Sequence, residues 1–325
     1  MSFVAILVAL LLEQARPLAR RNPIHGVLRS WVRWTARNFD AGRPQHGPLA
    51  WSVAVLLPSV SVAVVYWALV QWLGWPLAVV WNIVVLYITL GFRQFSHHFT
   101  EIRNALESGD EEHARQLLAN WKQVEASGLP KAEVVRQVVE YSVIAAHRHV
   151  FGVLAWFSIL AAFGLGPAGA VFYRLSEFAP RYWVHKHLEL LQPVSSALQD
   201  VATRAWRTVD WIPARVTAMG FAVVGSFEDA IESWRNYEQR GPVDNDGVIL
   251  AATAGAINLR LGPVAATAGS AAQADGSAAR SRGAEEGIGQ EPEVGHLRTV
   301  VGLVWRTVVM WMILLALLTL ARLLG

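Results

Sequence analysis

The side chains that could carry out chemistry in this chain are mainly histidines. Those considered as metal ligands are His97, His98, His113, His147, His149, His185 and His187. Imidazole nitrogens bind Zn²⁺ and similar metals, but a His-x-His pair on a helix directs its two rings about 200° apart. No HExxH spacing occurs in the sequence. The pattern therefore favours histidines that lie beside Arg and Lys at a membrane interface, and no metal site is assigned.

Sequence motifs for nucleotide binding and for nucleophilic catalysis are also missing. The chain contains no Walker A loop, no GxSxG and no GxGxxG that follows a strand. It contains no cysteine, which excludes disulfides, thiolate metal sites, iron–sulfur clusters and thiol nucleophiles. A Ser/His/Asp set cannot be chosen from the sequence, so no catalytic residue is assigned.

The composition is typical of a membrane protein. Of 325 residues, 54% are hydrophobic and only 16% are charged, whereas about a quarter are charged in soluble domains. The net charge of +3 is too small to indicate nucleic acid as a partner. Several of the fifteen tryptophans stand at the ends of apolar runs, where interfacial aromatic residues occur. The expected partner is the lipid bilayer.

The apolar runs predict an all-α, polytopic helical membrane protein with four or five spans and a helical cytoplasmic subdomain. Residues 150–173 carry no formally charged side chain and are long enough to cross a bilayer as one helix. The division expected along the chain is 1–48, an N-terminal hydrophobic helix and basic segment; 49–91, a transmembrane hairpin; 92–148, the cytoplasmic subdomain; 149–173, the central transmembrane helix; 174–240, amphipathic helices with a further membrane segment left open; 241–298, an Ala/Gly-rich linker; and 299–325, the C-terminal transmembrane helix.

Local signals place several helix boundaries. Gly74-Trp75-Pro76 predicts the turn of the hairpin. Ser108-Gly109-Asp110 predicts a break, after which Asp110 caps a helix that opens with two glutamates. Pro213 predicts a new helix start after Asp210. The seven arginines of residues 13–48 favour a cytoplasmic position and attract anionic headgroups without a specific ligand.

Four stretches resemble the family of bacterial inner-membrane proteins that includes the cobalamin-pathway protein CobD/CbiB and the β-lactamase-induction modulator AmpE. They are 92–121, FRQFSHHFTEIRNALESGDEEHARQLLANW; 166–175, GPAGAVFYRL; 210–217, DWIPARVT; and 247–262, GVILAATAGAINLRLG. The resemblance implies a multi-pass protein of the bacterial inner membrane. The last stretch is similar to a segment of the cobalamin branch.

The two branches imply different functions. The cobalamin branch implies an ATP-driven enzyme, of the adenosylcobinamide-phosphate synthase type, that joins an aminopropanol or its phosphate to a carboxyl of cobyric acid. Its pattern has Glu-Asn-Thr-Ser-Asp-Gly before the central span and Asn-Thr-Leu-Asp-Ser-Met after it, where this chain has AAHRHV at 145–150 and SEFAPR at 176–181. Mg–ATP normally needs one or two carboxylates.

Because those carboxylates are largely missing, the favoured interpretation is a non-catalytic modulator of the AmpE type, which acts in signalling linked to cell-wall recycling or β-lactamase induction. The cobalamin enzyme is the alternative. The modulator needs no cofactor, whereas the enzyme needs ATP and Mg²⁺. A further membrane protein is a second expected partner.

A functional cleft is expected on the cytoplasmic side, between the helix–Gly-Asp–helix, the entry to the central span and the DWIPAR segment. Its candidate lining residues are Arg93, His97, His98, Glu140, His147, His149, Asp210 and Arg215. The structural alternative for Arg215 is an ion pair with Asp210, which would bury both side chains.

Overall fold

A computed structural model describes residues 2–15, 23–40, 42–43, 45–122, 126–189, 194–240, 243–262 and 289–324, most of which are helical. In chain order the helices are α1 (Ser2–Ala15), α2 (Pro23–Phe39), α3 (His46–Trp72), α4 (Trp75–Thr89), α5 (Phe92–Glu107), α6 (Glu111–Lys122), α7 (Lys131–Ala146), α8 (Gly152–Ala162), α9 (Ala168–Glu189), α10 (Ser196–Val224), α11 (Phe227–Gln239), α12 (Asn245–Ala256) and α13 (Val294–Leu324). A π-helical turn, His147–Phe151, joins α7 to α8. The β pairing in the described ranges is one isolated bridge between Leu259 and Gln290.

The predicted all-α, polytopic class is confirmed. Among the described residues, His46–Trp72, Lys131–Ala162 and Val294–Ala321 are long and apolar enough to cross a membrane. Phe3–Ala15 and Trp75–Thr89 are shorter apolar helices. The chain is therefore a membrane protein, and the total of four or five crossings stays a prediction.

The chain forms two compact units. The first contains Met1–Phe95, Ala145–Val216 and Trp311–Gly325, and the second contains Ser96–Ile144 and Thr217–Met310.

In the first unit, α2, α3, α9 and α10 share an apolar core that includes Val32, Ala54, Trp183 and Leu198. The indole N–H of Trp183 donates to the carbonyl of Val32 at 3.1 Å. The turn predicted between α3 and α4 is confirmed, because Gly74 has a φ of 88° and proline follows in the first turn of α4.

Residues 150–173 do not form the single transmembrane helix predicted from their composition. α8 ends at Ala162, and Gly164 and Gly166 then adopt φ angles of 77° and 57°. A side chain at position 166 would also collide with the ring of Tyr66, since its Cβ would lie 2.3 Å from Cγ. Pro167 has no backbone N–H, so in a continuous helix it could not donate to the carbonyl four residues earlier. The run is therefore a helical hairpin, α8–turn–α9.

The predicted break at Pro213 is likewise corrected, because Pro213 lies inside α10. Proline at this position deprives the carbonyl four residues earlier, that of Val209, of its helical donor. The indole N–H of Trp156 donates to this carbonyl at 2.9 Å. The helix continues because a side chain from α8 supplies the missing hydrogen bond.

The second unit confirms the Gly-Asp break between α5 and α6. Gly109 has a φ of 82°, and Asp110 Oδ1 accepts the backbone N–H of His113 at 3.0 Å. In the same unit, Arg136 pairs with Glu140 at 2.7 Å, and Glu140 accepts the backbone N–H of Gly262 at 2.9 Å. The middle of the predicted Ala/Gly-rich linker 241–298, from 263 to 288, lies outside the described residues.

Candidate functional site

Three buried polar side chains meet in the first unit. His147, Tyr173 and Asp210 are exposed to solvent by no more than 1%. Asp210 Oδ1 lies 2.9 Å from His147 Nε2 and accepts the hydroxyl of Tyr173 at 2.8 Å. The Tyr173 oxygen and His147 Nε2 are 3.3 Å apart. The three groups form one hydrogen-bonded cluster, which we call the buried triad.

Three different segments position the triad. His147 opens the π-helical turn, a distortion that is frequent at functional sites. Tyr173 lies on α9, and its ring packs where Gly152 has no side chain, since a Cβ there would stand 2.1 Å from Cζ. Asp210 lies on α10 beside Val209, whose carbonyl is bound by Trp156. Each member is thus positioned by a local feature of its own segment.

The carboxylate of Asp210 is stabilised in its charged form. Burial by itself raises the pKa of Asp210, but the positive charge and hydrogen bond of His147, the hydroxyl of Tyr173 and the charge of Arg148 outweigh it. The net result is a lowered pKa. Oδ1 receives the hydrogen bonds described above, whereas the buried Oδ2 accepts none from the residues that the structure describes. One carboxylate oxygen is therefore left for another donor.

A second buried carboxylate, Glu177, lies one helical turn after Tyr173 on the same face of α9. It is 3% exposed. Arg174 approaches its Oε2 at 3.3 Å, and Arg181 approaches its Oε1 at 3.1 Å. Two guanidinium groups against one carboxylate leave a net positive charge around Glu177.

A tryptophan ring lies between the triad and a further arginine. The ring of Trp206, from α10, lies 5.3 Å from that of Tyr173. The guanidinium of Arg148 stands 5.9 Å from the centroid of the Trp206 ring. Arg148 is thus held by a cation–π contact near Asp210.

The register of the hairpin brings the two diverged motif positions together. α8 and α9 run antiparallel, with Gly152 facing Tyr173 and Gly169 facing the backbone of Trp156. The π-helical turn packs against α9, where His147 contacts Tyr173. The segments AAHRHV and SEFAPR therefore flank one site, and together with α10 they supply two buried carboxylates.

The structure distributes the predicted cleft residues over both units. Arg93, His147, His149, Asp210 and Arg215 belong to the first unit, and His97, His98 and Glu140 belong to the second. Of these eight, the structure brings His147 and Asp210 together. The side chain of Arg93 lies outside the described residues.

The remaining candidates have local partners. His97 and His98 lie 3.4 and 3.5 Å from the carboxylate of Glu101 on the same helix. His149 packs against Gly91, where a Cβ would stand 3.0 Å from its Nδ1. The alternative Asp210–Arg215 ion pair is replaced by other contacts, because Asp210 bonds to His147 and Tyr173.

Arg215 is held at the surface of α10. It donates to the carbonyl of Trp211 at 3.2 Å and lies 4.2 Å from the centroid of the Trp211 ring. Within the described part of the chain, no group of three or more His, Cys, Asp or Glu side chains is arranged to hold a metal. The side chains of His185 and His187 lie outside that part.

Sequence reasoning missed Tyr173, Glu177 and Trp206 as members of the site. Tyr173 was treated as the end of a membrane span, and Glu177 as part of a lost motif. Their spacing of four residues, which puts both polar groups on one helical face, was the available signal.

Comparisons with known proteins agree on one family. A family model described as CobD/Cbib protein matches residues 3–288. A protein of Stutzerimonas stutzeri named cobalamin biosynthesis protein CobD is 30% identical over 282 residues, which cover 86% of this chain and 84% of the relative. Proteins of the same name from Chromobacterium violaceum and Leptospira interrogans are 29% and 25% identical, over 65% and 66% of this chain and 63% and 65% of the relatives. No solved protein structure matches the chain.

These relatives overturn the expected AmpE-type modulator, since all three carry the name of the cobalamin branch. The expectation rests on the two motif stretches alone, in which Glu177 is the remaining carboxylate. Asp210 comes from a third segment, so its contribution depends on tertiary structure. A family match over most of the length, together with these relatives, shows that the chain belongs to the CobD/CbiB protein family.

Proposed function

We propose that this chain is an enzyme of cobalamin biosynthesis, which joins an aminopropanol or its phosphate to a carboxyl of cobyric acid in an ATP-driven amidation. The observation that carries the proposal is the buried triad with its open Asp210 Oδ2, in a chain that is similar to CobD proteins over most of its length. We place the enzyme in the bacterial inner membrane as a multi-pass protein.

In this proposal Asp210 binds the amine substrate. An amine is protonated at neutral pH, so it approaches a carboxylate as a cation that donates N–H groups. Asp210 Oδ2 accepts an N–H of the substrate, while His147 and Tyr173 hold Oδ1 and so fix the orientation of the carboxylate. A carboxylate that is held in place loses little freedom when the substrate binds.

The arginines near the triad suit the other two reactants. Arg174, Arg181 and Arg148 stand around Glu177 and Trp206, and ATP and the corrinoid carboxyl are both anionic. Mg²⁺ is bound in many such enzymes by one or two carboxylates together with the phosphates of the nucleotide. Both oxygens of Glu177 already face arginines, so this carboxylate does not fit a Mg²⁺ ligand.

Complementation tests this function. The full chain is expressed in a bacterium that lacks its own CobD/CbiB protein, under conditions in which growth requires cobalamin synthesis, and isotope-labelled aminopropanol is traced into the corrinoid by mass spectrometry. We expect growth and labelled corrinoid with the unaltered chain, and neither with Asp210→Asn at an equal amount of protein in the membrane.

Asp200→Asn is the matched control, because Asp200 is an exposed residue of the same helix. It should support growth like the unaltered chain. A chain that reaches the membrane but incorporates no label would refute the proposal.

A further inference from the structure

We propose that α2 is a docking surface for anionic lipid headgroups, and that it lies along the membrane surface beside the N-terminal part of α3. This inference is independent of the proposed enzyme activity. It rests on how α2 is attached, on the division of its outward face and on its charge.

α2 is fixed to a membrane-spanning helix by its inner face. Val32 is fully buried, and Leu28, Trp31 and Phe39 pack against the same core. The indole N–H of Trp31 donates to the carbonyl of Ala54 at 3.1 Å. Ala54 lies eight residues after the first residue of α3, about 12 Å along its axis at 1.5 Å per residue. This attachment holds α2 near one end of the candidate span.

The outward face of α2 is divided lengthwise into a basic half and an apolar half. At about 100° per residue, Arg29, Arg33 and Arg37 fall within about 80° of one another. Val27 and Trp34 lie within about 20° of each other on the adjoining side, and they are 70% and 47% exposed. A helix parallel to the membrane surface needs this arrangement, with apolar groups toward the acyl chains and arginines toward the phosphates.

The charge of α2 selects anionic lipid. The helix contains three arginines and no acidic residue. Asp40, which follows it, accepts backbone N–H groups of Ser195 at 2.8 Å and Gly42 at 3.3 Å. Arg33 donates from Nε to the hydroxyl of Tyr182 at 3.3 Å, which holds this arginine against α9. Each arginine near an anionic surface strengthens binding by about fivefold. The basic half of α2 should therefore enrich phosphatidylglycerol beside this helix.

The absence of cysteine allows a direct test with the full chain. Ser30, exposed between the basic and apolar halves, is changed to cysteine and labelled with bimane. The protein is placed in phosphatidylcholine nanodiscs that contain a small fraction of either spin-labelled phosphatidylglycerol or spin-labelled phosphatidylcholine. We expect several-fold stronger quenching by the phosphatidylglycerol probe, and a weaker preference at high salt.

Two double variants in this background decide the role of the arginines. Arg29→Gln with Arg37→Gln should reduce quenching by phosphatidylglycerol to the level of phosphatidylcholine, whereas the same pair changed to Lys should retain the preference. Arg204→Gln with Arg207→Gln, at exposed positions on α10, should change nothing. Equal quenching by the two probes in the unaltered arginine background, no quenching by either, or an equal loss in the α10 control would overturn the proposal.

Discussion

His147 Nε2 lies 2.9 Å from Asp210 Oδ1, although 63 positions separate the two residues in the chain. Both side chains are buried, and Tyr173 donates to the same carboxylate oxygen at 2.8 Å. Removing one partner of a buried pair typically costs about 3–5 kcal/mol, because the other is left uncompensated.

Asp210→Ala should therefore lower the free energy of unfolding by about 3–5 kcal/mol. The measurement is chemical or thermal unfolding of the purified protein in detergent. Asp200→Ala, at an exposed position on the same helix, should stay within about 0.5 kcal/mol of the unaltered chain. Equal effects of the two changes would show that the triad does not stabilise the fold.

The stabilisation by Asp210 should disappear in acid. Its folded-state pKa is lowered, because the charge and hydrogen bonds around it outweigh burial. The contribution is therefore complete above the unfolded value of about 3.9 and is lost as the pH falls through the folded value. The stability difference between the unaltered chain and Asp210→Asn should shrink as the pH falls below about 4. A difference that grew in acid would contradict this assignment.

Two tryptophans should stabilise helices that contain a proline. Trp156 donates to Val209, four residues before Pro213, and Trp31 donates to Ala54, four residues before Pro58. In both cases the indole binds the carbonyl that the proline leaves without a helical donor.

Trp156→Phe should lower the free energy of unfolding by about 1–3 kcal/mol, since it leaves a buried carbonyl unbonded. The same change combined with Pro213→Ala should cost less than the sum of the two single changes, because alanine restores the helical N–H. Additive effects in this double-mutant cycle would argue against the link.

Gly152→Ala should disturb the site through Tyr173. The new Cβ would stand 2.1 Å from Cζ of the tyrosine ring, and overpacking of this kind costs about 1–3 kcal/mol. Gly302→Ala is the control, since nothing lies within 4 Å of a Cβ at that helical position. We expect a clear fall in melting temperature for the first variant and none for the second. A neutral Gly152→Ala would show that the ring has room to move.

The hairpin at 150–173 predicts the sidedness of its flanks. Arg148→Cys and Arg181→Cys each give a protein with one thiol, because the natural chain has none. Both should react with a membrane-impermeant maleimide from the same face, tested on intact cells and on inverted vesicles. Reaction from opposite faces would show that residues 150–173 cross the membrane once, as their composition predicts, and would contradict the hairpin.

Sequence could predict those parts of the fold that depend on local chemistry. Gly74 and Gly109 adopt left-handed backbone angles that glycine favours, and Asp110 caps the helix after it, as its position indicates. Composition could not separate a spanning helix from an apolar hairpin, because both require a continuous run of apolar residues. The two glycines before Pro167 were the signal that distinguished them.

The site was less predictable than the helices. Asp210 was identified as a candidate, but Arg215, five residues away, was the nearest basic partner in sequence. Its actual partners, His147 and Tyr173, come from other helices, and periodicity carries no information on such contacts. Sequence predicts a helix start at Pro213, because a missing N–H is usually tolerated there. The position of Trp156 explains why proline is tolerated inside α10.

The turn at 163–167 lies at the opposite end of the hairpin from the buried triad. Gly152 faces Tyr173 on the arms, and the turn lies beyond them at the tip. Residues added to or removed from the tip would change how far the hairpin reaches and leave the pairing of its arms intact. A single insertion between His147 and Gly152 would instead rotate the histidine by about 100° relative to Asp210. The base therefore tolerates no change in register, whereas a change at the tip has to be accommodated at the contact between Gly166 and Tyr66.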